Sequence, residues 1–141
     1  MENRLSKYYE IADALIKRLS RLVYGDVCIV CENNPAALDP GHYIGRGAKS
    51  VRWDIYNVFP QCRRCNSIHV YDEKPMTEKV LIILGIERHD ELVVKSKTLF
   101  HPSVTAMQEI ITDLREAIKD IEKVKKLVGL GIDIKQHISR A

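Results

Sequence analysis

The sequence of 141 residues has no long apolar run, no internal repeat and no low-complexity segment. Because a membrane-spanning helix needs about 18 or more consecutive apolar residues, the sequence offers no transmembrane helix. The first ten residues, MENRLSKYYE, include an early acid and no apolar core, so we expect no secretory signal. Hydrophobic content of 45% and charged content of 29% are ordinary for a globular protein. We therefore predict a single cytoplasmic domain without membrane contact.

The sequence also has little net charge, since 22 basic and 19 acidic residues leave only +3. The charge is uneven, however. Residues 41–66 contain five basic side chains and a single acid, Asp54, and the five are Arg46, Lys49, Arg52, Arg63 and Arg64. A local excess of positive charge favours a polyanionic partner such as nucleic acid. A solvated basic surface explains the same pattern, so charge alone does not decide between them.

Periodic apolar residues predict helices on both sides of this basic segment. The first helix covers residues 5–23 and ends near Gly25, with its apolar stripe formed by Leu5, Tyr8, Ala12, Leu15, Leu19 and Leu22. Two short helices fit residues 75–84 and 87–94, separated at Gly85. A last long helix begins near Pro102 and carries a heptad-like seam formed by Met107, Ile110, Leu114, Ala117, Ile121, Val124 and Val128. That seam predicts either packing on the first helix or a homodimer contact.

Between these helices the residues favour short pieces instead of long elements. Glycine, proline and asparagine are frequent in residues 26–66, and we predict a loose hairpin with strands around residues 41–44 and 51–59. A short helix is expected to follow the last cysteine. The predicted organisation is an N-terminal helix (residues 1–25), a cysteine-rich core (26–72) and a C-terminal helical region (73–141).

All four cysteines occur in two Cys-x-x-Cys pairs, CIVC and CRRC, which are formed by Cys28, Cys31, Cys62 and Cys65. Each such turn directs both sulfur atoms toward one point, and two turns complete the four ligands of a tetrahedral zinc ion. In a reducing compartment this pattern indicates structural zinc instead of disulfides. A redox protein would use one pair within a βαβ pattern that is absent here. A zinc ion closed by four thiolates has no open position, so any catalysis needs other residues.

Three stretches accompany the cysteine pairs: DPGHYIGRG, RWDIYNVFPQC and CRRCN. Together with CIVC they resemble the HNH nucleases, also called His-Me-finger or ββα-metal nucleases. Within that group the chain is most similar to the phage NinG (Rap) recombination protein family. The resemblance covers about residues 28–66, with weaker similarity around LIILGIERHDEL. It implies an α+β fold that is mostly helical overall, with a small zinc-stapled ββα-metal core flanked by amphipathic helices.

The resemblance also implies roles for single residues. His42 matches the general base that activates water, and Asn57 matches the asparagine that braces the loop orienting this histidine. Asn66 matches the position that binds the catalytic divalent metal. A neutral histidine suits proton abstraction near pH 7, and oxygen ligands suit Mg²⁺ or Mn²⁺.

The chain departs from many HNH enzymes directly before the base. Gly41 stands where those enzymes carry an acid or a histidine as metal ligand. Asp39 is the nearest carboxylate and our candidate ligand in its place. His69 follows Asn66 by three residues, on the same face of a helix, and is a further candidate ligand.

We therefore predict a metal-dependent HNH-type DNA endonuclease acting on branched recombination intermediates in a phage or prophage setting. Arg46, Lys49, Arg52, Arg63 and Arg64 would bind phosphates, and a homodimer through the C-terminal helix would suit a four-way junction. A catalytically inactive, zinc-stabilised DNA-binding protein is the main alternative, and Gly41 favours it. An assembly protein that uses its long helices and a redox protein without zinc are further alternatives.

Overall fold

A computed structural model describes residues 2–128 of the chain, which are mostly helical. The elements are α1 (Glu2–Tyr24), β1 (Asp39–His42), β2 (Val58–Gln61), α2 (Arg63–Tyr71), α3 (Lys74–Ser96), α4 (Val104–Lys119) and α5 (Ile121–Val128). The predicted C-terminal region extends to residue 141, and its residues 129–141 lie outside this described part. Within residues 2–128, no helix is both long and apolar enough to cross a membrane.

The predicted N-terminal helix is confirmed as α1, but more of its surface is buried than the apolar stripe indicated. Ile16, Ser20 and Val23 are buried although they lie outside that stripe, whereas Leu22 is 38% exposed. The reason is that α1 packs on α4 and also on β2. The hydroxyl of Ser20 donates to the carbonyl of Val58 in β2 at 2.9 Å, which satisfies a buried polar group at this contact.

Two glycines with left-handed backbone interrupt the helices where the sequence predicted. Gly25 follows α1 with φ of 99°, and Gly85 lies inside α3 with φ of 80°. Residues that carry a Cβ atom are disfavoured at these positive φ angles, so glycine suits both positions. The α3 helix is therefore two helical segments joined at Gly85, which agrees with the two short helices expected there.

The predicted hairpin exists, but its strand boundaries were wrong. β1 and β2 pair antiparallel, with His42 opposite Val58. Most of the predicted second strand, residues 51–57, instead forms consecutive turns. The backbone N–H of Asp54 donates to the carbonyl of Val51 at 3.2 Å, and that of Asn57 donates to the carbonyl of Asp54 at 2.9 Å. These short-range bonds replace strand pairing, and the apolar residues among them fill two separate cores.

The prediction of one long C-terminal helix was also wrong. α4 begins as expected at Ser103, whose hydroxyl accepts a hydrogen bond from the N–H of Ala106 at 3.1 Å. At Asp120 the backbone leaves helical geometry, with φ of −116° and ψ of 56°, and α5 follows. The seam packs on α1 as predicted: Met107 and Leu114 are buried in one core with residues of α1. The homodimer contact through the same seam remains a prediction.

The two-stranded sheet lies between two hydrophobic cores because consecutive residues of β2 face opposite sides. Val58 is buried in the core formed with α1 and α4, and Phe59 is buried in the core formed with α3. The Phe59 ring also lies 4.7 Å from the Tyr24 ring, measured between centroids. Among residues 2–128 the sheet has two strands, so the outer edge of β1 is unpaired there and lines a cleft.

Candidate functional site

The four cysteines form the first candidate site. Their sulfur atoms all lie within 4.8 Å of one another, and the Sγ atoms of Cys31 and Cys62 are 3.8 Å apart. Four thiolates at about 2.3 Å from one tetrahedral zinc ion would be separated from each other by about 3.8 Å. The cluster therefore has the composition and the spacing to hold zinc.

The first Cys-x-x-Cys turn is shaped by its own backbone. The N–H of Glu32 donates to the carbonyl of Cys28 at 2.9 Å, and the N–H of Cys28 donates to the carbonyl of Asn33 at 3.0 Å. Glu32 has a φ of 63°, in the left-handed region, which closes the turn tightly. The N–H of Ile29 donates to the carbonyl of Pro60 at 3.0 Å, so the turn is docked on β2.

The second turn leads directly into α2, because Cys62 is the N-cap of that helix and its Sγ accepts a hydrogen bond from the N–H of Cys65. Burial works against ionisation of Cys28, but backbone hydrogen bonds from Cys31 and Cys62 outweigh it and lower the pKa of that thiol to about 7. Burial raises the pKa of Cys65, as do contacts with the other three sulfur atoms. Zinc, which binds thiolates, would supply the positive charge that this crowded cluster lacks.

A cleft of about 640 Å³ along the edge of β1 forms the second candidate site. It brings together five of the residues singled out in the sequence: Asp39, His42, Arg46, Asn66 and His69. Asn57 is buried and does not line the cleft, and neither do the other four predicted phosphate contacts, namely Lys49, Arg52, Arg63 and Arg64. The cleft and the cysteine cluster share no residue, so they are two distinct sites.

His42, the last residue of β1, has its ring held by a hydrogen bond to the following loop. Its Nε2 lies 2.9 Å from the carbonyl oxygen of Arg52. Because a carbonyl only accepts, Nε2 donates, and Nδ1 is left as the basic nitrogen of the neutral ring. Burial lowers the pKa of His42, and the nearby charge of Arg46 lowers it further, while the bond to Arg52 acts in the opposite direction. The ring is therefore neutral at neutral pH, with a lone pair on Nδ1.

The loop that carries the Arg52 carbonyl is held by Asp13 of α1. The Asp13 carboxylate accepts from Arg52 Nη2 at 2.7 Å, from Arg46 Nη2 at 2.9 Å and from Trp53 Nε1 at 2.8 Å. Burial raises the pKa of Asp13, but the hydrogen bond and charge of Arg52 outweigh it, so that the pKa is lowered. Asp13 is thus an ionised anchor, and through Arg52 it sets the position of His42.

The Arg52 side chain is largely buried in its contact with Asp13, whereas an arginine that binds DNA phosphates would be exposed. Its side chain is only 13% exposed, and its guanidinium carbon lies 5.2 Å from the rings of both Tyr9 and Trp53. This environment favours a positioning role. The sequence analysis missed Asp13, although a signal existed: Asp13 lies between Tyr9 and Ile16 at helical spacing, so a carboxylate stood on a face of α1 with apolar neighbours.

The side-chain amide of Asn57 forms hydrogen bonds with backbone groups at both ends of the same loop. Its Nδ2 donates to the carbonyls of Ile44 at 2.9 Å and Val51 at 3.0 Å, and its Oδ1 accepts from the N–H of Ile44 at 2.8 Å. The residue is fully buried. This is the geometry that bracing of the histidine loop requires.

The α2 helix contributes Asn66 and His69 to the same cleft. The carbonyl of Tyr43 accepts a hydrogen bond from Nε2 of His69 at 2.9 Å, which again leaves Nδ1 as the basic nitrogen. That Nδ1 atom is buried and has no hydrogen-bond partner among the described residues. Buried polar atoms are normally satisfied, so the Nδ1 atom of His69 has an unused capacity to accept a hydrogen bond or to bind a metal ion.

Tyr43 is a second residue that the sequence analysis missed. Besides fixing His69, it joins the end of β1 to α3, because its phenol oxygen lies 2.9 Å from Nε2 of His89 and 3.2 Å from the hydroxyl of Thr77. Tyr43 directly follows His42 in the chain, but its backbone carbonyl meets α2 and its phenol oxygen meets α3. Only the assembled fold brings them together.

Asp39 reaches the cleft differently from His42. Because side chains alternate along a strand, residues three positions apart in β1 face opposite sides of the sheet. The Asp39 carboxylate also lies 3.9 Å from Nε of Arg63, whose side chain is 87% exposed. Asp39 still lines the cleft together with Asn66 and His69.

A protein-family model matches most of the chain. The family model described as Bacteriophage Lambda NinG protein matches residues 4–125. The chain belongs to the NinG family. No curated protein and no solved structure matches it. The matched segment contains both the cysteine cluster and the cleft, so both sites belong to the part of the chain that the NinG family shares.

Gly41 of this NinG-family chain packs against the side chain of Gln61. Any side chain at position 41 is therefore expected to lower the free energy of unfolding. A Cβ atom there would meet Oε1 of Gln61 and would lie 2.7 Å from its Cδ, and Gln61 is fully buried. We expect Gly41→Ala to lower the free energy of unfolding by about 1–3 kcal/mol, measured by urea denaturation. The same contact explains why an acid at this position would not fit.

Gly47→Ala is the matched control, because a Cβ at Gly47 meets no atom within 4 Å. Gln61→Ala should recover part of the loss in the Gly41→Ala background, since the side chain in the way is then gone. Equal stabilities of the two glycine variants would contradict the predicted clash.

Proposed function

We propose that this NinG-family chain is a metal-dependent HNH-type DNA endonuclease. The observation that carries the proposal is the fixed neutral imidazole of His42, which shares one cleft with Asn66 and the unpartnered nitrogen of His69. In this proposal the consecutive elements β1, β2 and α2 form the ββα core. A zinc ion held by the cysteine cluster would stabilise this core. The reaction is hydrolysis of a phosphodiester bond.

The proposed roles follow from the contacts. Nδ1 of His42 takes the proton from the attacking water, a task worth about 10²–10⁴ in rate when the base is neutral and positioned. Asp13, Arg52 and Asn57 keep the ring and its loop in place. Arg46 is 59% exposed at the cleft, so its guanidinium can contact a phosphate while it stays paired with Asp13.

In this proposal the cleft would hold a divalent cation. His69 offers a buried nitrogen without a partner, Asn66 offers an amide oxygen, and Asp39 is a further candidate ligand. This mixed nitrogen and oxygen set suits Mn²⁺, and Mg²⁺ is compatible with the oxygen ligands. When bound, such an ion acts as a Lewis acid at the scissile phosphate.

The substrate proposed is branched DNA from phage or prophage recombination, in keeping with the family likeness. Arg63 and Arg64 lie exposed at the start of α2 and extend the positive surface beyond the cleft. A homodimer would place two such sites in a two-fold arrangement, which suits matched cuts in a four-way junction.

A catalytically inactive DNA-binding protein is the second candidate. The observation that favours it is Gly41, because the buried Gln61 side chain leaves no space there for the acidic ligand that many HNH enzymes carry. Such a protein would keep the positive surface and the zinc cluster and would bind DNA without cutting it.

A cleavage assay distinguishes these functions. Zinc-loaded protein is incubated with an end-labelled four-way junction or a matched linear duplex, in Mg²⁺, in Mn²⁺ or without added metal. Cutting that requires added metal supports the endonuclease, and the junction-to-duplex ratio tests the substrate. Binding without cutting in either metal supports the inactive alternative. Absence of binding at low salt would exclude both, because phosphate contacts should bind DNA with an affinity that falls steeply as salt rises.

A further inference from the structure

Tyr43 connects two histidines, His69 of α2 and His89 of α3. Its backbone carbonyl accepts from Nε2 of His69 at 2.9 Å, and its ring lies 6.0 Å from the His69 ring, with an angle of 28° between the two planes. Its phenol oxygen lies 2.9 Å from Nε2 of His89 and 3.2 Å from the hydroxyl of Thr77, both on α3. Tyr43 is therefore the contact between a candidate metal ligand and a helix that the mechanism proposed above does not use.

The carbonyl of Tyr43 bears on metal binding because of the nitrogen atom that it engages. A histidine that binds a metal ion through one ring nitrogen almost always donates its other N–H to a carboxylate, a carbonyl or water, and this contact sets the orientation of the ring. His69 has this arrangement, since Nε2 donates to Tyr43 while the buried Nδ1 has no hydrogen-bond partner among the described residues. The position of the Tyr43 carbonyl thus determines where Nδ1 of His69 points.

The phenol end of Tyr43 is held by a series of hydrogen bonds on α3. The Asp90 carboxylate lies 3.1 Å from Nδ1 of His89, and because a carboxylate only accepts, Nδ1 donates to it. With the ring proton on Nδ1, Nε2 of His89 is the acceptor for the hydroxyl proton of Tyr43. The His89 side chain is only 15% exposed, and its ring lies 5.5 Å from the Tyr43 ring. His89 is thus oriented by its own neighbour and by packing, and it holds the tyrosine side chain in one place.

We propose that His89 is a positioning residue for the metal site, which acts through Tyr43 on the orientation of the His69 ring. His89 does not line the cleft, so it contacts neither the metal ion nor the DNA in this role. The proposal rests on the proposed function, because it takes His69 as a ligand of the divalent cation. It extends the metal site from α2 to α3 through two side chains that are 46 residues apart in the chain.

The test measures Mn²⁺ binding to the zinc-loaded protein by electron paramagnetic resonance, which detects the free ion. Tyr43→Phe removes only the phenol oxygen, and His89→Leu fills the space of the imidazole without offering an acceptor. Each is expected to weaken Mn²⁺ binding about ten-fold, the lower end of the effect that outer-shell partners of a metal ligand have. His89→Gln should stay within about two-fold of the parent, because its amide oxygen can replace Nε2 as the acceptor.

Two further comparisons show whether the effect passes through His69. His69→Ala should itself weaken Mn²⁺ binding, and in that background Tyr43→Phe should cause no further loss, since the ligand that it orients is gone. In single-turnover cleavage, the Mn²⁺ concentration for half-maximal rate should rise about ten-fold in Tyr43→Phe, while the rate at saturating Mn²⁺ changes less than about two-fold. Tyr8→Phe is the matched control, because it also removes a hydrogen-bonded phenol oxygen and Tyr8 does not line the cleft.

Mn²⁺ binding equal to that of the parent in folded Tyr43→Phe and His89→Leu would overturn the inference while leaving the proposed nuclease intact. Equal losses in His89→Leu and His89→Gln would also overturn it, because the histidine would then act through packing instead of its hydrogen bond. Undiminished binding by His69→Ala would do the same. If His89→Leu does not fold, Tyr43→Phe decides the question, since it removes a single oxygen atom. A parent protein that binds no Mn²⁺ would instead count against the metal-dependent function proposed above.

Discussion

Replacing His42 with alanine is expected to lower the metal-dependent cleavage rate by about 10²- to 10⁴-fold while DNA affinity stays within about two-fold. In the proposed mechanism the imidazole of His42 provides the base through Nδ1, while His69, the other histidine of the cleft among the described residues, is a candidate metal ligand. Affinity should persist because the proposed phosphate contacts come from arginine side chains and not from His42. Single-turnover cleavage and equilibrium binding of the same labelled junction measure the two quantities separately.

His101→Ala is the matched control for this experiment, because His101 is exposed and does not line the cleft, so its loss should leave the rate unchanged. A loss of binding as large as the loss of cleavage would show that His42 holds the structure or the DNA instead of acting as the base. In that case the inactive DNA-binding alternative would gain support.

The pH dependence of the same reaction follows from the burial of His42. Burial lowers the pKa of His42 below its usual value of about 6.5. The proposed base is active only when the imidazole is neutral. The rate should therefore fall as the pH drops through this lowered pKa, and protonation of His42 should not reduce the rate at higher pH. The acid limb of the single-turnover profile is therefore expected below pH 6.5 and should vanish in the residual activity of His42→Ala.

Loss of the zinc cluster is expected to have the largest effect on stability. A structural zinc site contributes about 10–16 kcal/mol of binding free energy, which is comparable to the whole stability of a small domain. Cys28 is fully buried in the cluster, and its turn is hydrogen-bonded to β2, which pairs with the strand that carries His42. We expect Cys28→Ala to lose zinc and to unfold at least the sheet and α2.

Zinc content by mass spectrometry under native conditions and circular dichroism with thermal melting measure this effect. Arg64→Ala is the matched control, since Arg64 lies inside the second Cys-x-x-Cys turn but is exposed and is not a ligand. A Cys28→Ala protein that melts like the parent would contradict a structural zinc site. Purification of the parent without zinc, with its thiols undergoing reversible oxidation, would favour the redox alternative.

Elements with a strong local pattern were predictable. The apolar period of α1, the glycines at 25 and 85 and the Ser103 cap all depend on near neighbours in the chain, and the structure has each of them. The strand boundaries and the break at Asp120 were not predictable in the same way. The apolar residues of the segment 51–57 are typical of a strand, but in the structure they form a series of turns. Their side chains pack in two different cores, and such packing depends on distant parts of the chain.

The cysteine cluster, the candidate residues His42, Asn66 and His69, and the family could be predicted from the sequence, because they depend on motifs whose spacing is visible along the chain. How the histidine is held could not be predicted in this way. Asp13 and Arg52 are 39 residues apart, and their ion pair, which positions the carbonyl that fixes His42, forms only when α1 packs against the sheet. Interactions between distant segments leave no period or motif in the sequence, so a single anchoring carboxylate becomes visible only in the fold.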